Sequence, residues 1–140
     1  MKKLFVILAS MFLFACTTQV SVADIFDKLP NSTTERKSVV FRVPSTNSFS
    51  TDMIYVGMLK TIGSEQSERL IKVLSIDNIN LGIVGNNSIV NKSLVLDALK
   101  NAPTIGKNLE IYMMGAASDQ QELENAAKMR NVKLHYFIKE

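Results

Sequence analysis

Residues 79–85, "INLGIVG", form a nearly continuous apolar run that ends at the turn Gly85-Asn86-Asn87. Such a run is typical of a strand that is buried on both faces of a parallel sheet. Residues 91–103, "NKSLVLDALKNAP", repeat apolar side chains at helical spacing, with Asn91 as the predicted cap and a proline at the end. A second apolar strand, "LEIYMMG", follows at residues 109–115. Because parallel strands need a long crossover connection, this order predicts a βαβ unit.

The alternation continues on the C-terminal side. Residues 118–131, "SDQQELENAAKMRN", predict a helix in which Ser118 and Gln121 have the spacing of a capping box. Residues 132–138, "VKLHYFI", are rich in β-branched and aromatic side chains and predict a further strand. The C-terminal half of the chain therefore predicts a βαβαβ arrangement.

The elements before residue 79 are less regular. Residues 63–76, "GSEQSERLIKVLSI", predict a helix with Ser64 as its cap and acidic residues in its first turns. Residues 38–44, "SVVFRVP", predict a strand that ends at a proline. Residues 53–62 fit a helix and a strand about equally, and we favour the helix.

These elements predict a small single α/β domain over residues 38–140, with a mostly parallel sheet covered by helices. About one hundred residues can build one hydrophobic core but not two. An α+β domain with a mixed sheet is the alternative, because the first strand and residues 53–62 have no predicted place in the sheet.

The N-terminus has the pattern of an export signal. Lys2 and Lys3 precede residues 4–15, "LFVILASMFLFA", which are apolar except for one serine. Twelve helical residues span roughly 18 Å, whereas a bilayer core is about 30 Å thick. A charged start, a short apolar core and a small residue at its end are typical of a secretory signal peptide, here residues 1–15.

The segment Leu13-Phe14-Ala15-Cys16 resembles the lipobox of bacterial lipoproteins, and Cys16 is the only cysteine of the chain. The resemblance implies that the Cys16 thiol receives a diacylglyceryl group, that residues 1–15 are removed, and that the new amine is acylated. Because Thr17 rather than aspartate follows the cysteine, it also implies an outer-membrane protein that faces the periplasm. Alternatively, Ser21-Val22-Ala23 fits an ordinary cleavage site, which would give a soluble periplasmic protein.

Residues 16–37 are polar and rich in Ser, Thr and Asn, and we predict that they form the lipidated N-terminus and a loose tether. Within them lies one apolar group, Ile25, Phe26 and Leu29. These side chains either pack on the chain's own domain or dock on an envelope protein partner.

Two turns are candidate ligand sites, because ligands of parallel α/β sheets bind at the carboxyl ends of the strands. They contain Gly85, Asn86 and Asn87 in the first turn, and Gly115 and Ser118 in the second. Backbone N–H groups at such helix starts can bind an anion. Neither turn has a dinucleotide or P-loop motif, and ordinary tight turns explain both equally well.

The sequence contains no catalytic motif. It has one histidine, His135, no Gly-x-Ser-x-Gly elbow and no His/Cys cluster, so we expect neither an enzyme nor a metal or cofactor. The net charge is +3, and removal of residues 1–15 takes Lys2 and Lys3 with it and leaves +1. This balanced charge does not favour nucleic acid as a partner.

These observations predict a membrane-anchored lipoprotein that acts as a structural or protein-binding component of the bacterial envelope, such as an accessory part of a secretion, conjugation or pilus assembly. The alternative is a periplasmic ligand-binding or enzymatic domain that uses the turns after residues 79–85 and 109–115.

Overall fold

The computed structural model describes residues 18–44 and 65–139. In chain order its elements are helix α1 (Val22–Phe26), strand β1 (Lys37–Val43), helix α2 (Glu65–Leu74), strand β2 (Ile79–Gly85), helix α3 (Ser88–Asn101), strand β3 (Glu110–Gly115), a short 3₁₀ turn (Ala117–Asp119), helix α4 (Gln120–Met129) and strand β4 (Lys133–Ile138). The predicted signal peptide, Cys16 and the ambiguous residues 53–62 lie outside the described residues.

The four strands form one sheet in the order β1-β2-β3-β4, and every neighbouring pair is parallel. The prediction of an α/β domain with a parallel sheet is therefore confirmed. The mixed-sheet alternative is wrong, because none of the described strands runs antiparallel to its neighbour.

Strand β2 is buried along its whole length because both faces of the sheet are covered. Ile79, Leu81 and Ile83 point into the main core, together with the apolar faces of α2, α3 and α4. Successive strands are adjacent and their crossovers share one hand, which places these three helices on the same face of the sheet. The opposite face needs another cover.

Residues 18–29, which we call the N-terminal strap, supply that cover. Val20, Ile25 and Leu29 form a second apolar cluster with Val84 and Tyr112 of the sheet. The backbone of Val20 exchanges two hydrogen bonds with Gly85, of 2.9 and 3.0 Å. The prediction of a loose tether is wrong from residue 18 onward, since this part of the chain is folded onto the sheet.

The strap contains the short helix α1, which a local signal starts. The Ser21 hydroxyl accepts from the Asp24 N–H, and the Asp24 carboxylate accepts from the Ser21 N–H. This reciprocal capping box fixes the first turn. The turn then presents Ile25 to the sheet, where Gly82 leaves room for it: a Cβ at Gly82 would collide with the Ile25 side chain.

Two predicted helix caps are wrong. The N-cap of α3 is Asn87, whose side chain accepts from the N–H groups of Ile89 and Val90, and the predicted cap Asn91 is buried within the first turns. Helix α4 starts at Gln120 after a 3₁₀ turn, and no side-chain hydrogen bond caps it. The spacing of Ser118 and Gln121 therefore does not produce a capping box.

We predict that the strap contributes to stability through Ile25 and not through its neighbour Phe26. Ile25 is 0% exposed, whereas Phe26 is 61% exposed. Ile25→Ala should lower the free energy of unfolding by about 2–5 kcal/mol, because it removes buried methyl groups and leaves a cavity. Phe26→Ala should change it by no more than about 0.5 kcal/mol. Urea denaturation of both variants provides the measurement.

The two variants control each other, because they change adjacent residues of one helix. Equal losses of unfolding free energy in Ile25→Ala and Phe26→Ala would mean that the strap does not pack on the sheet as described.

Candidate functional site

Several polar groups of the turn after β2, which was predicted as an anion site, have partners within the chain. The Gly85 N–H donates to the Val20 carbonyl, and Asn87 Oδ1 accepts from the N–H groups of Ile89 and Val90. The Asn86 side chain accepts from Gln19 of the strap at 3.1 Å. The N–H groups of Gly85, Ile89 and Val90 thus bind within the chain, which leaves fewer backbone donors for an anion, and the anion site at Gly85, Asn86 and Asn87 stays a prediction.

The turn after β3 has the wrong electrostatics for an anion. The Asp119 carboxylate, next to Ser118, lies 3.1 Å from the Lys92 ammonium, which also binds Glu122 at 2.9 Å. Burial lowers the pKa of Lys92, but the hydrogen bonds to Glu122 and Asp119 outweigh it and raise that pKa above its usual value. The turn thus has two carboxylates for one cation, which disfavours a bound anion near Gly115 and Ser118.

The carbonyl groups of the second turn also have partners. The Lys139 N–H donates to the Gly115 carbonyl at 2.8 Å. The Tyr136 hydroxyl donates to the Ala116 carbonyl at 2.7 Å, and burial raises the pKa of Tyr136 to about 12. These contacts give the turn a structural role at the end of β3.

An open cleft of about 600 Å³ lies beside the first turn, at the carboxyl ends of β1 and β2. The strap, the end of β1 and helix α2 form its walls. Its lining residues are Gln19, Val20, Ser21, Val22, Arg42, Val43, Pro44, Gln66, Arg69, Val84, Gly85 and Asn86. Its volume is within the usual range for small-molecule sites, about 300–1,000 Å³.

Among the described residues that line this cleft, the charged ones are Arg42 and Arg69, and none is acidic. Arg69 forms an ion pair with Glu65, one turn earlier on α2, at 2.8 Å. Both side chains of this pair are mostly exposed, so water screens the attraction. The cleft therefore presents guanidinium groups that an incoming anion can reach.

A second cluster joins the amino ends of the strands on the strap side of the sheet. Arg36 donates to Asn80 at 2.7 Å and pairs with Glu110 at 2.8 Å, while His135 lies 2.6 Å from the other Glu110 oxygen. The His135 ring stacks on Tyr112, with 4.2 Å between ring centroids. Burial raises the pKa of Glu110, but His135 and Arg36 outweigh it and lower that pKa below its usual value. These groups bind one another at the amino ends of the four strands, with Arg36 directly before β1. We therefore interpret the cluster as a structural contact that holds the strands together.

The strap is also fixed to the C-terminal end of the described chain. The Lys139 ammonium binds the Asp24 carboxylate at 2.6 Å and the Gln19 carbonyl at 2.8 Å. The Thr18 hydroxyl donates to the Lys139 carbonyl at 3.2 Å. The hydrogen bond from Lys139, together with those from Ser21, lowers the pKa of Asp24 from 3.8 to about 2.

The structure separates the three residues of the predicted docking group. Ile25 and Leu29 are buried between the strap and the sheet. They therefore pack on the chain's own domain, which was one of the two predicted alternatives. Phe26 alone points outward. The sequence reasoning missed Arg42 and Arg69, although the strand pattern of residues 38–44 places Arg42 one residue before the end of β1.

The comparisons with known proteins give no relative: neither a family model, nor a curated protein, nor a solved structure matches the chain. Within residues 18–44 and 65–139, no group of three or more His, Cys, Asp or Glu side chains could hold a metal ion. In the same part of the chain, no helix is both long and apolar enough to cross a bilayer.

The Asp24–Lys139 contact predicts an acid-sensitive strap. Asp24 has a lowered pKa in the folded state, so the unfolded chain takes up the proton first as the pH falls. The contribution of the Asp24 charge to the stability of the folded protein is complete above pH 3.8 and is lost as the pH falls through about 2. We expect the melting temperature of the wild-type protein to fall more steeply across this interval than that of Asp24→Asn. Thermal unfolding from about pH 5 to about pH 1 measures this difference.

Asp24→Asn is the matched control because Glu110 also loses its charge in acid and affects both proteins equally. Parallel curves for the two proteins would show that Asp24 has no folded-state partner.

Proposed function

We propose that the protein is an exported lipoprotein of the bacterial envelope, anchored through Cys16, that works by contacts with another envelope protein. The observation that carries this proposal is the apolar run that ends in Leu13-Phe14-Ala15-Cys16. By the same resemblance we place it at the outer membrane, facing the periplasm.

The packing of the strap supports processing at Cys16 over cleavage after Ala23. Cleavage after Ala23 would remove Val20, which is 1% exposed and pairs with Gly85. It would also remove Ser21, which caps α1. Processing at Cys16 keeps both residues, so it is the site that leaves the described fold intact.

The exposed face of the strap supports a role in protein contacts. Phe26 is the most exposed aromatic side chain among the large apolar residues that reach the surface of the described chain. Aromatic side chains are frequent binding hot spots because they bury a large area with little loss of conformational freedom. The strap therefore presents one large apolar anchor while Val20, Ile25 and Leu29 stay in the core.

We predict that the mature protein begins at Cys16 and carries lipid on it. Mass spectrometry of the N-terminal peptide should find Cys16 with a diacylglyceryl group and an acylated amine. Cys16→Ala should leave the precursor uncleaved, because the lipobox chemistry needs the thiol. Density-gradient fractionation should place the wild-type protein with outer-membrane markers.

An unmodified N-terminus at Asp24 would contradict the anchor. Recovery of lipidated protein with inner-membrane markers would contradict only the proposed address.

We predict that Phe26→Ala reduces partner recovery by roughly tenfold or more, since burial of such a side chain contributes about 1.5–3 kcal/mol. Cross-linking in intact cells, followed by purification and quantitative mass spectrometry, measures the recovery. Met129→Ala is the matched control, because Met129 is a large apolar residue that is 84% exposed at the end of α4.

The two variants should have the wild-type melting temperature, so that recovery is compared per folded molecule. If Phe26→Ala and Met129→Ala recover the same proteins in the same amounts, Phe26 is not a docking residue.

A further inference from the structure

The Arg42–Arg69 cleft contains the type of donor group that a phosphate prefers. A guanidinium is charged at every physiological pH and presents two parallel N–H groups to a phosphate. No ion pair of Arg42 is present within the described residues, and Arg69 holds only the exposed contact to Glu65. Gln66 adds a side-chain amide donor to the same lining, next to the Gln19 amide that donates to Asn86.

The place of the cleft in the chain suggests where such a phosphate comes from. Gln19 lines the cleft and follows Cys16 by three residues, a distance of at most about 10 Å for an extended chain. The headgroup layer of one leaflet is roughly 5–7 Å deep. If Cys16 carries lipid, the cleft lies within reach of the headgroups of that membrane.

We propose that the Arg42–Arg69 cleft binds the phosphate group of an anionic phospholipid headgroup in the membrane that holds Cys16. The location rests on the proposed anchor, whereas the phosphate chemistry rests on the cleft alone. Because the anchor fixes the domain at the surface, the headgroups are present at high effective concentration, and weak binding is sufficient. Bound headgroups would hold the carboxyl ends of β1 and β2 against the membrane.

The experiment uses the chain from residue 16 to residue 140 with Cys16→Ser, so that lipid does not contribute to binding. This chain contains both described apolar clusters, all of whose residues lie between Val20 and Phe137. Co-sedimentation with vesicles of phosphatidylglycerol and phosphatidylcholine is compared with co-sedimentation with phosphatidylcholine alone. We expect binding to the anionic vesicles only.

The test variant is Arg42→Gln/Arg69→Gln, and we expect its affinity for anionic vesicles to fall by roughly tenfold or more. The matched control is Lys100→Gln/Lys107→Gln, which removes the same charge from exposed residues at the opposite end of the sheet. The control should retain most of the wild-type affinity. Melting temperatures equal to that of the parent chain establish that both variants are folded.

Equal losses in the two variants would overturn the proposal, because net charge rather than the cleft would then cause the binding. Absence of binding to anionic vesicles would also overturn it. A titration with soluble glycerol phosphate distinguishes the source of the phosphate: arginine-dependent binding in solution without vesicle binding would assign the cleft to a free metabolite and overturn the headgroup.

This assay and the test of the anchor fail separately. The vesicle measurement uses an unlipidated chain, so its outcome does not depend on modification of Cys16 in cells. The mass of the mature N-terminus is measured without reference to the arginines.

Discussion

The arrangement of the chain depends on one constraint: a parallel sheet whose described crossover helices lie on one face has a second face that must also be covered. Strand β2 contains Val84 and Gly82 on that second face, and neither α2, α3 nor α4 reaches them. The N-terminal strap solves this problem with Val20, Ile25 and Leu29. Gly82 has no Cβ and therefore lets Ile25, the most buried side chain of the strap, approach the sheet closely. The strap is thus a third layer of the domain.

The sheet and its helices could be predicted from the sequence because their signals are local and repeated. Residues 79–85 and 109–115 are apolar except for Asn80 and Glu110, and α3 repeats its apolar residues over several turns. The strap could not be predicted in the same way, because its buried residues are scattered among polar ones and become meaningful only opposite an open sheet face. One local signal did exist, since Ser21 and Asp24 have the spacing of a capping box. The strap cap was missed because the same residues also fit a cleavage site.

The candidate sites also combine features that can be recognised in a short stretch of sequence with contacts between residues that are far apart in the sequence. The turns after β2 and β3 were identified correctly as strand ends, but the partners of their amide and carbonyl groups come from Val20 and Lys139, which are far away in the sequence. The cleft was not predicted because its arginines are 27 positions apart and its third wall is the strap. No motif joins such residues. They meet only because β1 lies beside β2 and the strap crosses the end of both strands.

The strap also changes what an anchor at Cys16 would mean. A free tether of 21 residues would have a mean span of roughly 25 Å and would let the domain turn in any direction. In the structure the chain is already fixed at Thr18 and Val20, so only about 7 Å of chain separates Cys16 from the folded domain. Because this connection is so short, an anchor at Cys16 would turn the carboxyl ends of β1 and β2 toward the bilayer. The amino ends, with the Arg36–Glu110 pair, would then face away from it. A protein partner of Phe26 would then have to approach along the membrane surface, because the strap that presents this residue begins there.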